Sequence, residues 1–466
     1  MNPEIVACLS PGNAFTIRGY LNGGFMKIHR TILLLLITAS QAVVPLFAAD
    51  KLIILTSHWE GYRTETERAF QRWYRENFRE DVVVDWRDVG GSSDMLKFVQ
   101  SEYQQTPAGI GIDIFFGGGV DPYFRLKDSG FLESYQPPEN VIGPIPKEIN
   151  GLPVYDPDYQ WFGTAISGFG ILSNKRVVKI MKLPDVKTWE DLTDPALFSW
   201  VASGDPRASG SAASLYEIIL QAYGWDKGWS TIIRMAGNIR AFNKNASMAA
   251  KEVTFGDAAY CLAIDVYGLN QVSSAGPENI GFIYPVGLTI INPDAMAILK
   301  GAPDQKVARR FVDFMLSSTA QSLWVLPKGS PGGPVKFDIP RMSILPGLYH
   351  LYPKNTGFIN PFTAPTQLRY NSKLATSRRD VVQGLIGATI IDLHSEVVPT
   401  WKRINDPALS PAKRRALIDE FVRPPLSSEE VGEIAQEDWK DPAKRNQLLQ
   451  KWQNDAVKKY RSLLKE

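Results

Sequence analysis

Apolar residues in this chain alternate between short unbroken runs and helically spaced stripes. Leu52-Ile53-Ile54-Leu55 runs into Thr56-Ser57-His58, the pattern of a buried strand entering a loop. Phe70, Trp73, Tyr74 and Phe78 then recur at helical spacing. Val82-Val83-Val84 predicts a second strand, Met95, Leu96 and Val99 a second helix, and Ile112 to Phe116 a third strand. This βαβαβ alternation implies a largely parallel sheet. Such sheets bind ligands beyond the carboxyl ends of their strands, beside helix N-termini.

A second alternating stretch begins near Ile166 and continues through Trp200-Val201-Ala202, a helix around Ser214 to Tyr223, and the apolar Ala258 to Ile264. From about Phe282 a strand-like run, Gly287 to Ile291, precedes a helix with Val307, Phe311, Phe314 and Met315 on one face. Beyond the turn-rich Gly329 to Pro334 the chain becomes Pro-rich, and several amphipathic helices follow, ending in Arg445 to Leu464. A chain of 466 residues exceeds the usual size of one hydrophobic core. The expected organisation is a leader over 1–49, a first lobe over 50–165 completed by 285–344, a second lobe over 166–284, and a C-terminal extension over 345–466 packed on the lobes. No repeat of solenoid length is visible.

Composition narrows the class. With 44% hydrophobic and 21% charged residues the chain reads as globular, and 51 basic against 49 acidic residues leaves no nucleic-acid footprint. Met26-Lys27-Ile28-His29-Arg30 and the apolar Thr31 to Ala39 form a basic start and core of a secretory signal peptide, with cleavage expected after Ala48 or Ala49. Cys8 and Cys261 make neither a disulfide framework nor a cysteine metal site.

Two segments place glycines and hydroxyls where helices start: Gly90-Gly91-Ser92-Ser93 and Ser209-Gly210-Ser211. Free N–H groups and the positive dipole end converge there and favour an anion. Read alone, Ser92, Ser93 and Ser211 are first of all helix caps, the commonest role of Ser at such a place, and only the order of the surrounding motifs turns the reading toward a ligand. Gly117-Gly118-Gly119 allows close backbone approach to a ligand or simply a tight turn. Neither glycine stretch ends in Gly-Lys-Ser/Thr, which argues against a nucleotide triphosphatase. Asp265 sits in an apolar stretch and needs a partner: a ligand hydroxyl or amine, or else a salt bridge or helix cap at the lobe surface. Trp59 beside His58 offers a stacking face or ordinary core packing.

These motifs, with Asp113 to Gly119, Thr188-Trp189-Glu190-Asp191-Leu192, Gly204-Asp205-Pro206-Arg207 and Gly256-Asp257-Ala258-Ala259 in the same order, resemble the bacterial extracellular solute-binding family that includes ferric-iron and organophosphate receptors. The resemblance spans roughly residues 50 to 335. It implies an α/β, type II periplasmic-binding-protein fold: two doubly wound lobes joined by a hinge, here with an extra helical C-terminal extension. It implies a periplasmic, monomeric, non-catalytic receptor without cofactor, which captures a small molecule and hands it to the membrane subunits of an ABC importer. The implied ligand contacts are Ser57, His58, Trp59, Ser92, Ser93 and Gly118 from the first lobe. Ser167, Gly210, Ser211, Asp265 and Tyr267 supply the second.

The leading expectation for the ligand is an organophosphate or sugar-phosphate-like anion. Within the same class the alternative is ferric iron or an iron chelate, although no Tyr-Tyr pair of the ferric receptors occurs here. A different class, a periplasmic hydrolase or transferase, would use His58 as base and Asp265 to orient it. No Gly-x-Ser-x-Gly or HExxH motif accompanies them. A third reading makes the extension a partner-binding module.

Overall fold

The computed structural model describes residues 49–149, 151–352, 359–363 and 368–466. The expected signal segment from Met26 and Cys8 lie outside them. The chain begins as β1 (Asp50–Thr56), α1 (Glu60–Phe78), β2 (Val82–Arg87), α2 (Ser92–Gln105), β3 (Ile114–Phe116) and α3 (Asp121–Asp128). β1 pairs in parallel with both β2 and β3. Leu52 and Ile54 pack with Phe70 of α1, whereas Leu55 packs with Met95 and Val99 of α2 on the other face. A strand covered on both faces needs apolar residues at consecutive positions, hence the unbroken run.

The chain continues through β4 (Phe162–Asn174), β5 (Val201–Gly204), α4 (Gly210–Tyr223), α5 (Trp225–Asn238), β6 (Ile239–Asn243) and α6 (Ala246–Phe255). Then come β7 (Tyr260–Ile264), α7 (Asp265–Ala275), β8 (Ile280–Ile283), β9 (Ile291–Ile298), α8 (Gln305–Leu316) and α9 (Ser318–Val325). Among the described residues, nine strands join in one sheet of order β2-β1-β3-β9-β4-β7-β5-β6, with β8 also on β4. All 13 residues of β4 are buried. Up to Gly168 this strand pairs with β9, and from Phe169 onward with β7 and β8. The lobes therefore meet at Gly168–Phe169, where one continuous strand changes partners.

The strand expected over Gly287 to Ile291 instead starts at Ile291 and runs through Asn292-Pro293-Asp294. Proline is tolerated because β3 joins β9 only from Met296, leaving Pro293 paired on one side, next to a bulge between Asp294 and Ala295.

After α9 the chain stays with the first lobe. Ile339, Met342 and Ile344 enter the core containing Phe311 and Trp324. The remainder forms α10 (Ser372–Ile386), α11 (His394–Ile404), α12 (Pro411–Val422), α13 (Ser428–Gln436) and α14 (Pro442–Lys465). Val381, Leu385, Trp401, Phe421 and Trp452 from these helices share one core with Leu215 of α4 and Trp229 and Ile233 of α5. The extension thus completes the second lobe's core. Trp401 is 1% exposed, stacks on Phe421 at 5.7 Å and donates its indole N–H to Asn238 Oδ1 at 2.8 Å. Trp401→Ala should cost about 3–5 kcal/mol of unfolding free energy in a denaturant titration. A loss below about 1 kcal/mol would show that the extension is not part of this core.

Candidate functional site

The loops beyond the carboxyl ends of β1 and β3 face the starts of α4, α6 and α7 across the lobe boundary. Ser57, His58 and Trp59 follow β1, and Gly118 and Gly119 follow β3. Gly210, Lys244, Asn245 and Tyr267 face them from the second lobe. The space between is a cavity of about 70 Å³. A water occupies roughly 10–15 Å³ on this scale, so the cavity takes a few waters or a small ion. The lobes are nearly closed: a Cβ on Gly210 would fall 2.1 Å from Ser92 Oγ. Gly118, at φ +100°, would place a Cβ 2.5 Å from Ser92 Cβ. Only glycine accommodates both that backbone and that approach.

Of the helices that begin at this cavity, three start on glycine, hydroxyl or amide residues that line it. α2 starts after Gly91, an extended N-cap with no side-chain cap, so Ser92 is the first helical residue and its hydroxyl does not cap. α4 is capped by Ser209, whose Oγ accepts from Ala212 N and lies 3.1 Å from Ser211 Oγ. α6 is capped by Asn245, with Lys244 immediately before it. Each N-terminus carries the positive end of a helix dipole and N–H groups without intrahelical acceptors.

Behind the cavity lies a buried charged cluster. Asp294 Oδ1 accepts from Gly118 N at 2.8 Å and Gly119 N at 3.3 Å. Its Oδ2 pairs with the Arg341 guanidinium and lies 3.2 Å from His58 Nε2. Arg341 Nη1 is 3.0 Å from the same Nε2, and Thr56 Oγ1 is 2.7 Å from Nδ1. His58 stacks on Tyr62 at 4.1 Å. Burial lowers the His58 pKa below the ordinary value, with Asp294 opposing and Arg341 assisting, so the ring is neutral near pH 7. Burial alone would raise Asp294, but the Arg341 charge and His58 outweigh it and hold the carboxyl well below the usual range. With Asp294 offset by Arg341 and His58 neutral, Lys244 leaves the cavity lining positive.

The profile of the bacterial extracellular solute-binding proteins matches residues 110–341. The chain belongs to that family. This solute-binding protein is 25% identical over 296 residues to the phosphoglycerate transport regulatory protein PgtC of Salmonella typhimurium, covering 62% of this chain and 69% of the relative. Among solved structures, the periplasmic binding protein AfuA from Actinobacillus pleuropneumoniae with exogenous fructose-6-phosphate superposes with a TM-score of 0.55 at 19% identity, covering 76% of this chain and 98% of its own. Iron-bound HitA from Pseudomonas aeruginosa gives a TM-score of 0.55 at 17% identity, covering 72% and 99%. These structures share the type II periplasmic fold.

Of the expected contacts, Ser57, His58, Trp59, Ser92, Gly118 and Gly210 line the cavity of this solute-binding protein, as do Ser211 and Tyr267. Ser93, Ser167 and Asp265 do not. Ser93 Oγ is buried without a hydrogen-bond partner among the described residues, and Ser93 lines a separate groove toward α10 and α14. Ser167 Oγ accepts from Arg341 Nη2 at 3.4 Å. Asp265 Oδ2 accepts from Gly168 N at 2.6 Å and Tyr284 OH at 3.1 Å, at the point where β4 changes partners. His58 is oriented by Asp294, Arg341 and Thr56, so the His58–Asp265 pairing of the hydrolase reading is not formed. Sequence reasoning passed over Lys244, Asn245, Asp294 and Arg341. An Asn before an apolar helical stretch is a cap signal that would have found Asn245; Asn-Pro-Asp reads as a turn, and nothing local marks Arg341.

Removing Arg341 would leave Asp294 ionised and buried. Arg341→Ala should therefore cost about 3–5 kcal/mol at neutral pH by denaturant titration, with the deficit shrinking in acid as the carboxyl protonates. Asp265 behaves oppositely. Burial outweighs its hydrogen bonds from Gly168 and Tyr284 and raises its pKa to about 7. Because the unfolded value is about 3.9, the ionisable carboxyl weakens the fold increasingly as pH climbs from about 4 to 7, and by a constant amount above that. Asp265→Asn should stabilise the protein by on the order of 2–4 kcal/mol at about pH 8 and by progressively less toward pH 4. A pH-independent difference would count against this ionisation.

Proposed function

We propose that this protein captures a small anionic solute, an organophosphate or sugar phosphate, between its lobes and delivers it to the membrane subunits of an ABC importer. It acts by binding and release, as a monomer in the periplasm, exported by the segment that begins at Met26. The observation that carries the ligand class is the convergence of the α2, α4 and α6 N-termini on one cavity together with Lys244. An oxyanion there accepts from backbone N–H groups and from Ser92 and Ser211, and it meets a positive lining. A ferric ion in the same place would face Lys244, Arg341 and three positive helix ends, while the nearest carboxylate, Asp294, already serves Arg341 and two backbone N–H groups. The likeness to a protein named for phosphoglycerate transport points the same way.

Closure leaves little free volume, so the body of a phosphate ester must extend past Trp59 and Tyr267 toward the cleft mouth, where a larger space of about 590 Å³ opens between the lobes. Trp59 is 36% exposed and meets Phe337 edge-on at 5.5 Å, a surface suited to the non-anionic part of a ligand.

Thermal melts of the full chain with glycerol 3-phosphate, 3-phosphoglycerate, fructose 6-phosphate, fructose and ferric citrate test the reading. A saturable rise with at least one phosphate ester and none with fructose is expected; at a hundredfold excess over Kd the stabilisation is about 2.7 kcal/mol. Lys244→Ala should weaken that binding on the order of tenfold. A rise with ferric citrate alone would sink the anion assignment.

A further inference from the structure

Three consecutive residues of α10 connect the extension to both lobes. Arg378 faces the second lobe, where its Nη2 and Nε donate to Glu217 Oε1 and Oε2 of α4 at 2.8 and 3.2 Å. Both side chains are buried. Arg379 turns the other way: its Nη1 donates to Asp121 Oδ2 at 2.7 Å, on the first turn of α3 in the first lobe. Its Nη2 lies 3.5 Å from the Gly210 carbonyl oxygen at the start of α4. Asp380 accepts from Arg125 Nη1, one turn further along α3, at 3.0 Å, and Arg125 Nη2 reaches the Thr376 carbonyl at 3.4 Å.

The mechanical consequence follows from the packing. Val381, Val382, Leu385 and Ile386 of α10 lie in the second lobe's core, and Arg378 fixes the helix to α4, so α10 moves with that lobe. Its ion pairs to α3 persist only while the lobes are together. While the lobes are together the Arg379 and Asp121 side chains are 11% and 12% exposed, so this is no solvated surface pair, whereas Arg125 and Asp380 at 20% and 50% form a weaker, wetter one. Both ends also touch the cavity wall: Gly118-Gly119 leads directly into α3, and Gly210 opens α4.

We infer that α10 is an interlobe latch in which Arg379 and Asp380, paired with Asp121 and Arg125, hold the lobes closed and slow ligand release. By raising the fraction of closed, binding-competent protein, the latch lowers the conformational cost of capture. The residues that match the family profile end at 341, so α10 lies beyond them. The effect on release rests on the cleft being the ligand site; the effect on closure does not.

Small-angle scattering of the full chain without added ligand reads lobe opening, and dissociation of inorganic phosphate reads its consequence. Asp121→Arg and Arg379→Asp should each raise the radius of gyration and speed phosphate release on the order of tenfold. The double variant, which rebuilds the pair with reversed polarity, should restore both. The milder Asp121→Asn and Asp380→Asn should shift both readouts in the same direction by less, and they decide the matter if a charge reversal fails to fold. Folded single variants with unchanged scattering, or a double variant whose defects add, would overturn the latch. If inorganic phosphate binds no form, scattering alone judges the latch, and the anion reading stands or falls with the phosphate-ester melts.

Discussion

The buried pair of Asp294 and Arg341 organises the first lobe's side of the cleft. Ionised groups in that position carry a desolvation cost that only a nearly complete set of partners offsets. Asp294 therefore draws the Gly118 and Gly119 N–H groups, His58 and Arg341 to one point, from the ends of β3 and β1, from β9 and from the segment after α9. Arg341 in turn reaches Ser167 on β4, one residue before the switch of partners at Gly168–Phe169. The bulge between Asp294 and Ala295 sits at the same place and breaks the regular register beside the carboxylate. The strand that crosses between the lobes and the cavity wall thus share one electrostatic anchor.

That anchor also supports the proposed anionic ligand. A carboxylate in a cavity wall would ordinarily repel an anion, but here it is spent internally, and the neutral His58 adds no charge. What remains toward the cavity is Lys244 and the N-terminal turns of three helices. Helix dipole effects fall off within about one turn, so they matter only because closure brings α2 and α4 into van der Waals contact at Ser92 and Gly210. The same positive field that is weak across an open cleft becomes a converging cradle in the closed one.

Much of this was legible from local pattern. Leu52 to Leu55, Val82 to Val84 and the stripe at Phe70, Tyr74 and Phe78 are dictated by two-sided and one-sided burial, which act on neighbouring residues and leave a readable period. The glycine and serine helix starts were legible for the same reason, since backbone geometry at a turn is local. Asp294 and Arg341 were not, because their roles exist only through contacts 47 residues apart in the chain, and Asn-Pro-Asp carries the composition of a turn although it is strand. Asp265 was singled out for its apolar setting, but periodicity cannot say which side of a sheet a carboxylate meets, and it meets the hinge rather than the cavity. The amphipathic helices of the extension announced a buried face without saying whose core it completes.

The latch and the cavity strengthen one another through solvent. Coulomb attraction between Arg379 and Asp121 grows as water leaves their surroundings, and closing the lobes is the event that removes it. A ligand that bridges α2 and α4 draws together the same two walls that carry Asp121 and the contact to Gly210, so each interaction finds its partner's geometry already formed. Linkage makes this reciprocal: whatever the ligand contributes to forming the ion pairs, the ion pairs contribute to retaining the ligand. An extension that merely covered apolar surface on the second lobe would have no such coupling. Placing Arg378 toward Glu217 and Arg379 toward Asp121 on one rigid helical turn converts a core-completing segment into part of the closing mechanism.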